Sequence, residues 1–250
     1  PAKLTISVKE PVAITMGDPM PELSEEDISI LGLVPGEDKS EIDFDELSTS
    51  CSPNNSREAI TGTIAPEGLE TENYTIIYEP GELIIEEKVF EGLPYDIEGE
   101  EGENGWYTDE IILTPNDSAG RFQFISADGG RSWDDSVTIT EDGEKELSIL
   151  LATSTDRDGV STEAPVFSYK LDTQNPELGR VKTDYKEEWV DEDITFTLSC
   201  ENSPASPVTY YARINEGEWT PIEDDVYTAS STRKVEFKAI SESGLESLPS

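Results

Sequence analysis

Apolar and polar residues alternate over many short runs of this chain, and this two-residue period constrains the fold more than any other feature. In an extended strand, successive side chains point to opposite faces, so alternation is typical of strands with one buried face. No window of a dozen residues keeps the i, i+3, i+4, i+7 apolar spacing of an amphipathic helix. The clearest alternating runs are Leu4-Ile6-Val8, Val12-Ile14-Met16, Tyr74-Ile76-Tyr78, Leu147-Ile149-Leu151, Val208-Tyr210-Ala212-Ile214 and Val235-Phe237-Ala239.

Turn-forming residues separate these runs. Pro80-Gly81 lies between two of them, Asp128-Gly129-Gly130 follows another, and Asp142-Gly143 precedes a fourth. These residue types supply the backbone angles that tight turns need. Pro80-Gly81 is predicted to turn a hairpin with Tyr78 and Leu83 on its inner face. Short strands separated by such turns predict an all-β fold built from sandwiches.

Two breaks divide the chain into three predicted modules. Residues 92–105 are rich in Gly, Pro and acidic residues, which suits a linker or an entering loop, and residues 172–177 read DTQNPE. The predicted modules are therefore 1–88, 89–176 and 177–250. We expect three tandem β-sandwich or Ig-like modules in an elongated arrangement, with a β-grasp-like fold as the alternative for the first.

The second and third modules resemble each other. Trp106 and Trp189 lie in matching segments, as do Trp133 and Trp219, at nearly the same separation along the chain. Recurrence of the rarest aromatic residue indicates a repeat, and it favours core packing over the alternative of a carbohydrate platform. The second module continues into Phe167-Tyr169-Leu171, but the third ends earlier in its repeat. We therefore predict that the third module lacks its last strand, which leaves an open sheet edge.

Charge narrows the range of partners. The chain carries 56 Asp and Glu against 17 Lys and Arg, a formal net charge of -39. Phosphate backbones and anionic membrane surfaces would repel it, so nucleic acid is not an expected partner. No stretch is apolar and long enough to insert into a membrane. The charge favours solubility, with cation binding or a high-salt habitat as alternatives, and we expect a monomer.

The two cysteines, Cys51 and Cys200, fall in different predicted modules. Cys200 closes the alternating run Ile194, Phe196, Leu198, which places its side chain on the apolar face. We expect a small buried thiol there rather than a disulfide that holds the modules together.

The sequence carries no arrangement that indicates catalysis. It has no histidine, which excludes Ser-His-Asp and Cys-His sites, and it has no Gly-rich phosphate-binding loop. Acidic pairs such as Asp134-Asp135 and Glu25-Glu26 are expected in any chain this acidic, and we interpret them as surface loops. We predict that the chain is not an enzyme, with no catalytic or cofactor-binding residues. The sequence identifies no ligand-binding residue either.

Calcium is the one metal that the sequence raises as a hypothesis. Asp156-Arg157-Asp158-Gly159, Asp191-Glu192-Asp193 and Asp224-Asp225 are short acidic segments near predicted module junctions. A Ca²⁺ site needs six to eight oxygen ligands, usually from several loops, and the twelve-residue EF-hand loop is absent. We otherwise expect no cofactor.

Residues 1–88 resemble the MBG family of bacterial surface repeats. The resemblance rests on MGDPMPELS at 16–24, GLVPGED at 32–38 and above all NYTIIYEPGELII at 73–85. Met16 stands where the family usually has tyrosine.

Residues 89–250 are similar to the bacterial Ig-like domains of Gram-positive surface proteins, through GENGWYTDEIILTP at 102–115, SADGGRSWDDSVTITEDGE at 126–144, YKLDTQNPE at 169–177 and YARINEGEWTPI at 211–222. Both resemblances imply a non-catalytic stalk, spacer or adhesive segment on the cell surface or wall of a bacterium. The alternatives are an adhesin module that binds host or cell-surface glycan or protein, and an accessory region of a large secreted carbohydrate-active enzyme.

Overall fold

The computed structural model describes residues 1–156, 159–184, 192–230 and 234–250, with only the backbone of residue 41. Within these ranges the fold is all-β, as predicted, apart from two three-residue 3-10 helices, Glu25–Asp27 and Lys39–Glu41. No described helix could cross a membrane. The strands are β1 (Ala2–Val8), β2 (Val12–Thr15), β3 (Ile28–Leu31), β4 (Ser48–Ser52), β5 (Ile60–Glu67), β6 (Tyr74–Glu79), β7 (Gly81–Glu86), β8 (Tyr95–Glu98), β9 (Ile111–Pro115), β10 (Phe124–Ser126), β11 (Val137–Ile139), β12 (Gly143–Leu147), β13 (Leu150–Ala152), β14 (Ser161–Glu163), β15 (Phe167–Leu171), β16 (Lys182–Thr183), β17 (Ile194–Thr197), β18 (Val208–Ile214), β19 (Thr220–Pro221), β20 (Val226–Ala229) and β21 (Val235–Ser241).

The chain forms two compact units. The first contains Pro1–Pro94, Pro115–Asp135 and Leu150–Ala164, and the second contains Tyr95–Thr114, Ser136–Ile149 and Pro165–Ser250. Strands of the predicted second module therefore occur in both units. Each pair of neighbouring strands in the described ranges nevertheless joins two strands of the same predicted module. The boundaries at 88/89 and 176/177 stay a prediction.

The first unit contains a β-sandwich rather than the β-grasp-like alternative. One sheet has the order β3-β1-β6 and the other β2-β7-β5-β4. Leu4 and Ile6 from the first sheet share one core with Ile64, Leu83 and Ile85 from the second. The period-2 pattern places these side chains inward, because every second residue of a strand faces the opposing sheet. A further sheet of this unit has the order β10-β13-β14.

The predicted hairpin at Pro80-Gly81 is wrong. Strands β6 and β7 do not pair with each other: β6 pairs in parallel with β1, and β7 pairs in parallel with β2. The chain thus passes from one sheet to the other at this point. A Cβ on Gly81 would lie 2.7 Å from Cβ of Val8, so glycine permits the close approach of β7 to the end of β1. Leu83 is buried as predicted, and Tyr78 is half-buried.

The second unit contains another sandwich. Sheets β16-β17-β20 and β19-β18-β21 share one core, to which Leu198, Tyr210 and Phe237 contribute. Sheets β11-β9-β8 and β12-β15 belong to the same unit. The prediction of a linker at 92–105 is wrong in part, because it includes β8, which pairs with β9, and the ring of Tyr95 is buried.

The repeat inferred from sequence recurs in the strand pairings. In one copy β9 lies between β8 and β11, and in the other β17 lies between β16 and β20. Ile125 of β10 lies between Leu151 and Asp134, just as Ala212 of β18 lies between Phe237 and Thr220. Trp133 comes immediately before Asp134, which pairs with β10, and Trp219 comes immediately before Thr220, which pairs with β18. Trp189 lies outside the described residues.

The end of the chain runs back along β21. Ser247 N donates to Ala239 O at 2.8 Å, and Ser250 N donates to Phe237 O at 3.0 Å. This segment takes the place that β14 has beside β13 in the preceding copy. In the described part of 177–250, no strand takes the place of β15. The absence of a last strand from the third module remains a prediction.

Candidate functional site: two buried carboxylates

Asp117 and Asp172 are the only acidic residues that are buried in the described ranges, although the chain has 56 Asp and Glu. Removing a carboxylate from water is costly unless hydrogen-bond donors or cations compensate for the lost solvation. Both residues lie where one predicted module meets the next. Among the residues that the structure describes, acidic charge is therefore buried only at these two joints.

In the first joint, within the first unit, Asp117 binds a lysine. Lys88 Nζ donates to Asp117 Oδ1 at 3.0 Å, and the backbone N–H groups of Arg121 and Phe122 donate to Oδ2 at 3.2 and 3.4 Å. The Lys88 ammonium also lies 5.1 Å from the ring centroid of Phe90. Burial alone would raise the pKa of Asp117, but the hydrogen bonds, led by that of Lys88, hold the pKa below its usual value.

In the same joint, residues 17–18 contact residues 121–122. Arg121 forms an ion pair with Asp18, and Ser56 Oγ donates to Asp18 O at 2.6 Å. Phe122 is buried over Gly17, where an added Cβ would lie 2.9 Å from the ring. Gly17 also has a φ of 86°, so any other residue there would be both strained and crowded.

In the second joint, within the second unit, Asp172 follows β15 directly and is fully buried. It accepts hydrogen bonds from Ala205 N at 3.0 Å, Ser206 N at 3.3 Å, Ser206 Oγ at 2.5 Å and Ser243 Oγ at 3.0 Å. Burial alone would raise the pKa of Asp172, yet these four donors, led by Ser206 Oγ, hold it below its usual value.

Further hydrogen bonds surround Asp172 and join the same segments. Glu103 N donates to Ser243 O at 2.8 Å, and Asn104 Nδ2 donates to Glu242 O at 2.9 Å. Asn175 Nδ2 donates to Glu246 O, also at 2.9 Å. A set of converging hydrogen bonds restrains orientation, since each has its own distance and angular preference. The second joint is therefore a fixed contact rather than a free linker.

Asp172 is not placed to do chemistry on a bound molecule. Asp172 has no solvent-accessible surface, and its oxygens already accept bonds from four protein donors. A general acid or base must reach the substrate proton directly or through one water. We interpret both joints as structural.

The predicted calcium segments are only partly described. Asp224 and Asp225 are exposed, whereas residues 157–158 and 191 lie outside the described ranges. Where side chains are described, no group of three or more His, Cys, Asp or Glu could hold a metal ion. The calcium hypothesis remains open to experiment.

Other residues singled out from the sequence lie apart from the joints. Asp134-Asp135 and Glu25-Glu26 are exposed, as predicted for surface loops. Cys51 and Cys200 are free and half-buried. Burial raises the pKa of the Cys51 thiol, and Cys200 Sγ donates to Asn202 Oδ1 at 3.1 Å.

The three described tryptophans differ in burial. Trp106 is buried, which confirms core packing for that residue, whereas Trp133 and Trp219 are half-buried. The guanidinium carbon of Arg213 lies 4.7 Å from the Trp219 ring centroid, and Lys238 Nζ lies 5.1 Å from it. The cations at this ring do not favour an open platform for stacking a sugar.

Sequence reasoning did not identify Asp117 and Asp172 as buried. Asp172 had one local signal, because it directly follows the alternating run Phe167-Tyr169-Leu171 and comes shortly before Pro176. Nothing in the sequence pairs it with Ser206 or Ser243, which are distant along the chain.

Comparison with known proteins identifies no family. No family model matches the chain, and no curated protein matches it. Among solved structures, the chain is similar to N-cadherin EC1-4 of Drosophila, with 11% sequence identity over 98% of this chain and 72% of that chain. The TM-score of this match is 0.22, and a similarity of that size supports no conclusion about function.

Proposed function

We propose that this chain is a non-catalytic structural segment of an extracellular surface protein, in which rigid joints connect successive β-sandwich modules. The observation that carries the proposal is Asp172, a fully buried carboxylate with four protein donors at the meeting of two predicted modules. A flexible linker has no need of such a contact, whereas a spacer must hold its modules in a fixed orientation.

The first joint supports the same proposal. The Lys88–Asp117 pair, with side-chain exposures of 18% and 2%, is shielded from solvent and is thus less weakened by salt than a surface pair. The Arg121–Asp18 ion pair lies beside it. Net charge of -39 would keep such a segment soluble and separate from other copies.

The more specific role is a stalk, spacer or adhesive array on the surface of a bacterium, attached to the wall of a Gram-positive cell. The resemblance of residues 1–88 to MBG repeats and of 89–250 to bacterial Ig-like domains supports this assignment. The full sequence of the parent protein tests it: a secretion signal and a wall-anchoring C-terminus are expected.

Backbone nitrogen NMR relaxation on the whole chain tests the rigidity of the second joint. If the joint is rigid, amides of β15 and of β21 give the same rotational correlation time in the wild-type protein. The Asp172→Asn variant should give different times for the two strands, because the Asn amide group cannot accept from all four donors.

The matched control is Asp135→Asn, which removes an exposed carboxylate far from this joint in sequence. It should leave both correlation times unchanged. Unequal times in the wild-type protein would contradict the proposal, since the two strands would already move independently.

A further inference from the structure

An open groove of about 900 Å³ runs beside β6 in the first unit. Its lining comes from three segments: Ser40, Ile42 and Asp43; residues 69–72; and Tyr74, Ile76 and Tyr78 of β6. Alternate residues of β6 share one face, on which Tyr74 is buried in the core, and Ile76 and Tyr78 are half-buried and pack against it.

The walls of the groove are held in place by hydrogen bonds. Tyr78 Oη donates to Leu69 O at 3.1 Å, which ties residue 69 to β6. Tyr74 Oη accepts from Val34 N at 2.9 Å and donates to Glu37. Asp43 and Glu70 form an isolated antiparallel bridge. A groove formed in advance loses less entropy on binding than one that must be ordered.

The groove also borders the outer edge of β6. Strand β6 pairs with β1 on one side, and no described strand pairs with its other side. Ala2 pairs with Tyr74 in a parallel register, and Ala2 N donates to Asn73 O at 3.3 Å. In a parallel ladder, residues of one strand point their backbone groups alternately toward and away from the partner. The backbone N–H and C=O of Ile76 therefore point away from β1.

The charge of the groove is of one sign. Asp43, Glu70 and Glu72 are in the lining, which contains no Lys or Arg. None of the three forms an ion pair with a described residue. Carboxylates along a groove whose lining carries no cation favour a ligand that carries positive charge.

We propose that this groove binds an extended, basic peptide segment of another protein, which adds to β6 as a further strand. The outer edge of β6 at Ile76 would supply main-chain hydrogen bonds, and the half-buried side chains of Ile76 and Tyr78 would contact alternate side chains of the peptide. Asp43, Glu70 and Glu72 would contact the Lys or Arg residues between them. This inference goes beyond the spacer role and does not depend on it.

Fluorescence anisotropy with a labelled heptapeptide, Lys-Val-Lys-Thr-Lys-Val-Lys, tests the proposal on the whole chain. We expect saturable binding that weakens with added salt. The peptide with Glu in place of every Lys should not bind. A version with three consecutive N-methylated residues should bind much more weakly, because it lacks the N–H groups that strand addition requires.

Two variants with the same change in charge separate the groove from the general acidity of the chain. Glu70→Gln with Glu72→Gln should weaken binding about tenfold. Glu10→Gln with Glu22→Gln, at exposed positions outside the groove lining, should change the affinity by less than about twofold. Thermal melts of both variants should match the wild-type melt, since all four side chains replaced are polar and carry no core contact.

Three results would overturn the proposal. The first is the absence of saturable binding by the Lys-containing peptide. The second is an equal loss of affinity in the two double variants, which would indicate non-specific attraction. The third is unchanged affinity for the N-methylated peptide, which would exclude strand addition.

Discussion

Asp172 and Asp117 differ from the exposed acidic residues because protein hydrogen-bond donors, rather than water, surround their carboxylate oxygens. Each is shielded from water, yet each has its pKa held below the usual value by donors that outweigh burial. Asp128 also has a lowered pKa, but its donors come from its own turn, chiefly Ser132 and Ser126. A carboxylate such as that of Asp128, whose hydrogen-bond donors lie within its own turn, stabilises only that turn. Asp172 instead joins segments more than thirty residues apart.

Replacing Asp172 with Asn should destabilise the second unit by about 2 kcal/mol, because at least one buried donor loses its acceptor. Chemical denaturation monitored by hydrogen exchange in β15 and β21 measures the loss. Asp135→Asn, at an exposed position, should change the free energy of unfolding by less than about 0.5 kcal/mol. Equal effects of the two substitutions would show that burial of Asp172 contributes nothing.

The lowered pKa of Asp172 also predicts that the difference in stability between the wild-type protein and Asp172→Asn depends on pH. A carboxylate whose pKa is lowered on folding stabilises the folded state above its unfolded pKa, near 3.8 for Asp172, and the contribution is lost as the pH falls through the folded pKa. The stability gap between wild type and Asp172→Asn should be full at neutral pH and shrink below pH 3.8. Denaturation series at several pH values measure this gap. A gap independent of pH would contradict it.

At the scale of strands, two strands that follow each other in the sequence often belong to different sheets. Strands β1 and β2 enter different sheets, as do β6 and β7, and as do β12 and β13. The run Leu147-Ile149-Leu151, which reads as one strand, is thus two. Periodicity reports which face is buried, and both sheets of a sandwich bury the same face toward one core. Alternation therefore does not distinguish a hairpin from a crossing between sheets.

Substitution of Gly81 tests how the chain passes from the sheet of β6 to the sheet of β7. Gly81→Ala should destabilise the first unit by about 1–3 kcal/mol, since the added Cβ would meet Val8 at 2.7 Å. Combining it with Val8→Ala should cost less than the sum of the two single substitutions, because the smaller residue 8 makes room. Thermal or chemical denaturation of the four proteins gives the coupling. Strict additivity would show that the two residues do not crowd each other.

At the scale of the whole molecule, the dominant property is the net charge of -39. Only 17 Lys and Arg are available to offset 56 acids, so most carboxylates repel one another in the folded state. Salt screens such repulsion over roughly 10 Å at 0.1 M ionic strength. The Lys88–Asp117 pair, in contrast, is largely shielded from solvent, so salt screens it less.

Raising NaCl from about 0.01 M to about 0.5 M should therefore raise the melting temperature, by about 2–4 °C for each kcal/mol of repulsion removed. The calcium hypothesis is tested in the same experiment. A Ca²⁺ site would raise the melting temperature further than MgCl2 or NaCl at equal ionic strength. Equal melting temperatures in the three salts would remove the hypothesis. A fall with NaCl would contradict the argument from repulsion.

The amino-acid order alone was enough to predict the all-β class, several of the strands, the buried faces of residues such as Leu4 and Phe237, and the repeat around Trp133 and Trp219. These features depend on the spacing of neighbours, which a strand converts directly into a face. Which strand pairs with which, the sheet crossing at Gly81, and the donors around Asp172 emerged only in the folded chain. They depend on contacts between residues far apart in sequence, and the local pattern is the same for every pairing that buries the same face.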